Sequence, residues 1–372
     1  MNNRTERPAA GLIYGPDAHH IDHIAPLCQL MGAPLICTEE EIALKANQYY
    51  PDLEVIHSNY IAVADELVSR CEVLFYSIPR ALFDEIFFFA QKLRQKKIHT
   101  IWCPHGNSDK GRQTPFMEAL GKEEIALVYG PRMIDFMKEK GVFNNLKTHI
   151  VTGNYRYQFY LEHQAFYDTL IENEILRRLP PLEKTLLYAP TWQDREKSSS
   201  FYAALPFLVK TLPESWNLIV KPHPNLRLQD EFGFERLLDT YRDHPRVLFL
   251  EDFPPIYPLL NIADIYIGDY SSIGYDFLTF KRPLFFLNQR DKDAEKDPGL
   301  YLYRCGTCIN PSEYPQIYQK IADFESFELR DFAKIQSQVY DQTFGPTKNL
   351  EQLRKEIKQS YSLFPESDWN FF

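Results

Sequence analysis

The chain has 372 residues, 44% hydrophobic and 25% charged, which is globular composition and enough length for two domains that each bury a core. Its formal net charge of -10 argues against a nucleic-acid partner, because neutralising a phosphate backbone takes a basic face. No stretch of about 18 uninterrupted apolar residues occurs, and the charged start MNNRTERPAAGLIYG lacks the apolar core of a signal peptide, so a soluble cytoplasmic protein with at most peripheral membrane contact is expected.

Short β-branched or aromatic runs recur along the first half: GLIYG, APLICT, LEVIHS, EVLFYS, IHTIWC, IALVYG and HIVTG, each followed by a helical pattern. This alternation predicts a parallel sheet covered on both faces. Just after the first run, DAHHIDH sets His19 and His23 four apart, on one face if a helix has begun there. No glutamate of an H-E-x-x-H pattern accompanies them. The reading is therefore contacts to an acceptor molecule rather than a metal. Further on, IWCPHGNSDKG places His105 and Gly106 directly after an apolar run. The imidazole titrates near neutral pH and suits removal of a proton from a hydroxyl, while the glycine permits a close backbone approach or a positive φ. A histidine that merely ends a strand would look the same.

Pro180 and Pro181 break the pattern at RRLPPLEKT, and the rhythm restarts with TLLYAP, WNLIVKP, RVLFLED, DIYIGD and PLFFLN. Two such halves predict two doubly wound, Rossmann-like α/β domains facing each other across a cleft: residues 1–165 on the acceptor side, 180–345 for a nucleotide donor, and a helical segment 346–372 packed across the lobes. In open parallel sheets ligands bind beyond the carboxyl ends of the strands, so the residues after each run are the site candidates. LLYAPTWQDR offers Thr191 and Arg195 to a nucleotide, with Trp192 read as packing. LIVKPHPNLR presents Lys221 and His223 on a loop stiffened by Pro222 and Pro224, a cation and an imidazole able to meet a diphosphate and the charge on a leaving group. ADIYIGDYSSIGYDFL runs from a buried strand through Asp269 to Ser271 and Ser272 at a helix start, where free amides suit a phosphate, although simple capping is the plainer role. The charged stretch RDKDAEKDPG reads as a solvated loop. Six scattered cysteines, with Cys305 and Cys308 as a lone C-x-x-C, fit free thiols in a reducing compartment, and no metal or other cofactor is expected.

WCPHGNSDKG, LLYAPTW, VKPHP and ADIYIGDYSSIGYDFLTFKRPLFFL occur in the order and approximate spacing found in the CDP-glycerol glycerophosphotransferase family, the polymerases and primases of wall teichoic acid, which this chain resembles over about residues 100 to 290. The resemblance implies a GT-B-like fold, with the donor on the C-terminal lobe and the acceptor approaching from the other. It implies His105 as the base, His223 as a second essential histidine near the donor diphosphate, and Ser271 and Ser272 as holders of donor phosphates, with Asp269 in the same block. The implied reaction is attack of an acceptor hydroxyl, of a kind that a lipid or glycan can carry, on the β-phosphorus of a CDP-polyol, releasing CMP. The sequence departs from the family pattern at Pro104, where tryptophan is common, and at NSDK, where TPLK is common. A glycosyltransferase using a nucleotide sugar, or a non-catalytic nucleotide-binding protein, would fit the same two lobes.

Overall fold

A computed structural model describes residues 7–107, 109, 117–193, 197–327 and 329–365. Its contacts divide the chain into two compact units: Met1–His105 with Pro115–Glu162 and Thr343–Phe372, and Gly106–Thr114 with His163–Gln342. Boundaries drawn at 165, 180 and 345 follow the chain; the contact units do not, because each takes up a segment that lies beyond the other in sequence.

The first unit holds strands β1 (Ala9–Ile13), β2 (Leu35–Cys37), β3 (Val55–His57), β4 (Val73–Tyr76), β5 (His99–Trp102), β6 (Ile125–Val128) and β7 (Thr148–Val151). They form one parallel sheet in the order β3-β2-β1-β4-β5-β6-β7. These are the seven apolar runs read from the first half. Residues of β1, β4, β5 and β6 are almost wholly buried, as strands covered by helices on both faces must be. Gly11 brings the first helix, Ile21–Met31, close to the sheet: a Cβ there would lie 2.2 Å from the Cys28 Sγ and 2.8 Å from Ile24. The C-terminal helix Leu350–Ser360 is counted within this unit and packs on helices Ile21–Met31 and Tyr155–Glu162 and on β7.

The second unit repeats the design with β8 (Lys184–Ala189), β9 (Trp216–Val220), β10 (Val247–Phe249), β11 (Ile265–Gly268), β12 (Leu284–Leu287) and β13 (Thr307–Ile309), all parallel in the order β10-β9-β8-β11-β12-β13. Its core gathers Leu186, Tyr188, Leu218, Val220, Ile267 and Phe285 from the strands with Phe201, Leu205 and Leu208 from a covering helix. β13 was not foreseen. It is three residues long and carries Cys308, so the lone C-x-x-C is a helix end and a strand rather than a motif.

Both sheets reverse direction of winding beside their first strand, between β1 and β4 and between β8 and β11. Register makes the exits level: Leu12 pairs Tyr76, and Tyr76 pairs Trp102, while in the other sheet Tyr188 pairs Val220 and Ala189 pairs Gly268. The loops that leave these ends are therefore the natural places for ligand contacts in each unit.

Candidate active site

In the first unit the exits of β1, β4 and β5 bring together Asp17, His19, His20, Ser77 and His105. His105 Nδ1 lies 2.9 Å from the Ser77 carbonyl oxygen. A carbonyl only accepts, so Nδ1 carries the proton and Nε2 is the basic nitrogen. The Ser77 hydroxyl meets His20 Nδ1 at 2.7 Å, so one buried residue orients two imidazoles. Ring centroids are 4.3 Å apart for His19 and His20, 5.0 Å for His20 and His105, and 6.2 Å for His19 and His105. Burial, reinforced by the charge that His19 can carry, pushes the His105 pKa down to about 4, against the opposing pull of the Ser77 carbonyl and Asp17. At neutral pH it is an uncharged base.

His23 lies further along the chain but still feels the same cluster: burial first, then the charges of Arg156, His105, His20 and His19, hold its pKa well below the ordinary value. The segment Ala18–His20 is a 3-10 turn and the α-helix starts at Ile21. His23 is buried, with Nδ1 2.7 Å from the Tyr129 hydroxyl, and that hydroxyl donates to the Pro104 carbonyl at 3.3 Å. With the phenol proton committed to Pro104, the imidazole is the donor to Tyr129. Beneath them a buried Arg156–Asp22 ion pair of 2.7 Å is joined by the Tyr50 hydroxyl at 3.1 Å, and the Tyr155 hydroxyl donates to the His23 carbonyl at 2.6 Å. His23 thus supports the backbone just before His105, while His19 joins the imidazole cluster.

In the second unit, β9 delivers Lys221 and His223. His223 caps the helix Pro224–Gln229 by accepting at Nδ1 from the Asn225 backbone N–H at 3.2 Å. Accepting at Nδ1 puts the proton of the neutral ring on Nε2, which is a donor: the opposite tautomer to His105. Lys221 Nζ donates to the Phe253 carbonyl at 2.8 Å. β11 delivers Asp269, which is fully buried and accepts from Thr191 N at 2.7 Å, Ser200 N at 2.8 Å and Ser200 Oγ at 2.8 Å. This carboxylate is a clasp that ties the start of helix Phe201–Lys210 and the exit of β8 to the exit of β11. Thr191 is buried with it, and the Ser199 hydroxyl donates to its carbonyl at 2.7 Å.

Ser271 and Ser272 precede the short helix Ile273–Phe277, and both are partly exposed. Ser272 makes no side-chain cap, and Ser271 Oγ is 3.4 Å from Ile273 N, a long contact. Capping therefore accounts poorly for two consecutive hydroxyls. Gly106, which counts with this unit, has φ +138, and a Cβ on it would lie 2.7 Å from Ser272 Oγ. Glycine is required there for both reasons. Arg195 lies outside the described residues.

Sequence reasoning overlooked Ser77, His20 and Tyr129. Ser77 and Tyr129 each stand directly after a strand, but neither belongs to a motif that would mark it. Among the described residues no group of three or more His, Cys, Asp or Glu is placed to hold a metal ion.

Two parallel sheets of seven and six strands, each with polar loops gathered at the carboxyl ends beside its winding reversal, define a two-unit α/β protein of the GT-B-like kind. Residues 106–304, more than half of the chain, match the family model of CDP-glycerol:poly(glycerophosphate) glycerophosphotransferases, and the chain belongs to that family. The match begins one residue after His105, so the base assignment rests on geometry. The chain is 30% identical over 157 residues to the teichoic acid glycerol-phosphate primase of Bacillus subtilis (strain 168), a stretch that is 38% of each protein. It thus aligns with well under half of that relative's length. Among solved structures, the wall teichoic acid polymerase TagF superposes with a TM-score of 0.64 at 15% identity, covering 95% of this chain and 88% of that one. A UDP-GlcNAc 2-epimerase from Neisseria meningitidis gives 0.58 at 12% identity over 95% and 99%. These two likenesses concern the fold.

Proposed function

We propose that the protein transfers a polyol phosphate, glycerol phosphate foremost, from a CDP-linked donor to an acceptor hydroxyl and releases CMP. Family membership supports the donor class. The observation that carries the chemistry is the pair of histidines set in opposite tautomers, His105 by the Ser77 carbonyl and His223 by the Asn225 amide. The acceptor oxygen attacks the β-phosphorus as its proton passes to His105 Nε2, and the bond from that phosphorus to the bridging oxygen of CMP breaks. His223 Nε2–H donates to the departing oxygen, with Lys221, Ser271 and Ser272 meeting the phosphate charge. The reading requires both histidines to reach one substrate.

The helix Asp84–Leu93 supports an acceptor carried on an apolar group, with peripheral contact at the inner membrane face. It shows solvent Phe88 (59% exposed), Phe89 (46%) and Leu93 (69%), next to Leu82 (60%). Among the described residues no helix is long and apolar enough to cross a membrane.

Calorimetry with CDP-glycerol, CDP-ribitol and UDP-sugars, with identification of the nucleotide released, tests the donor. Tight binding of a CDP-polyol and release of CMP are expected, and release of UDP from a UDP-sugar would refute the proposal. Replacing Ser271 and Ser272 together by alanine should weaken CDP-glycerol binding about tenfold, the equivalent of one charge-assisted hydrogen bond.

A further inference from the structure

We propose that Asn107 is a donor-binding residue whose side-chain amide hydrogen-bonds a phosphoryl oxygen of the CDP-linked substrate; this rests on the function proposed above. Asn107 is 7% exposed, and its Nδ2 has no hydrogen-bond partner among the described residues. Burying an amide donor unpaired costs stability, so native structures rarely keep one unless something absent from the protein itself completes it.

Its surroundings indicate what that is. The residue before it, Gly106, approaches so closely that even a Cβ would come within 2.7 Å of Ser272 Oγ. Two residues after it, Asp109 accepts a 2.6 Å hydrogen bond from the Tyr275 hydroxyl. Around Asn107, Gly106 packs closely on Ser272 and Asp109 is bonded to Tyr275, both within the stretch 272–275 of its own unit, and the Asn107 amide has no partner among the described residues. The ligand group that completes a neutral N–H donor is an acceptor, and phosphoryl oxygens are acceptors without protons of their own.

Three proteins decide the matter: wild type, Asn107→Ala and Asn107→Asp, each titrated with CDP-glycerol and with CDP, and each melted without ligand. The alanine variant should bind both nucleotides about tenfold more weakly, and the aspartate variant more weakly still, because a carboxylate opposes the phosphate. Without ligand the alanine variant should melt at or above the wild-type temperature, since it sheds a buried donor that has no partner among the described residues. If wild type binds both nucleotides and the alanine variant binds them equally well, the role of Asn107 is overturned while the proposed function stands. A variant that melts several degrees lower with unchanged affinity also overturns it, by showing that the side chain is structural. If wild type binds neither nucleotide, both the role and the proposed function fall.

Discussion

His105→Ala should reduce kcat by about a hundred- to ten-thousandfold, the range general-base catalysis supplies, while the Kd for CDP-glycerol changes by less than about twofold. The imidazole is held on the first unit, whereas the groups read as donor ligands belong to the second, so removing it should spare donor binding. The pH dependence carries a sign. Burial holds the His105 pKa at about 4, below the ordinary 6.5, so the neutral base is present throughout the range above it. The acid limb of kcat/KM should therefore fall near pH 4 to 5 rather than 6.5. His19→Gln, which removes a positive neighbour, should move that limb upward. The same depression means that the unfolded chain takes up the proton first as pH drops. The histidine's contribution to stability is intact above about 6.5 and is lost between there and about 4. Unchanged turnover in His105→Ala would end the base assignment.

Asp269→Ala should destabilise the protein more than any other single change in the candidate site. The carboxylate is fully buried and accepts from two backbone amides and one hydroxyl. Its loss leaves the Thr191 and Ser200 amides without their acceptor, at about 1–3 kcal/mol for each buried group. A domain of this size loses about 2–4 °C per kcal/mol, so the melting temperature should fall by about 10 °C. Asp269→Asn keeps one acceptor oxygen and should lie between. A variant as stable as wild type but deficient in donor binding would return Asp269 to the role of a direct ligand. Calorimetric melting alongside CDP-glycerol titration separates the two.

The fold class was legible because strands buried on both faces must be continuously apolar, and runs such as VLFY and LLYA can be little else when helical patterns separate them. β13 escaped because Thr307–Ile309, set between Gly306 and Asn310, holds a single aliphatic residue and makes no apolar run. The site was legible in part for a related reason. His105, Lys221, His223, Asp269 and the serine pair are candidates because each follows a strand. The spacing of His19 and His23 could not show that His23 is buried and bonded to Tyr129. Asp269, read as a ligand by its motif, turned out to have its oxygens engaged by its own chain.

What the sequence determined by itself is the rhythm of buried runs, the glycines at close approaches and the kinds of chemical group that leave each strand, because these depend on local periodicity and side-chain type. Only the tertiary structure decided the strand order, which sets Ser77 beside His105, and the backbone partners that give His105 and His223 opposite tautomers. Those partners come from hydrogen-bond directions and residues as far apart as 77 and 105, and a proton's place on a ring is chosen by what lies opposite it in space.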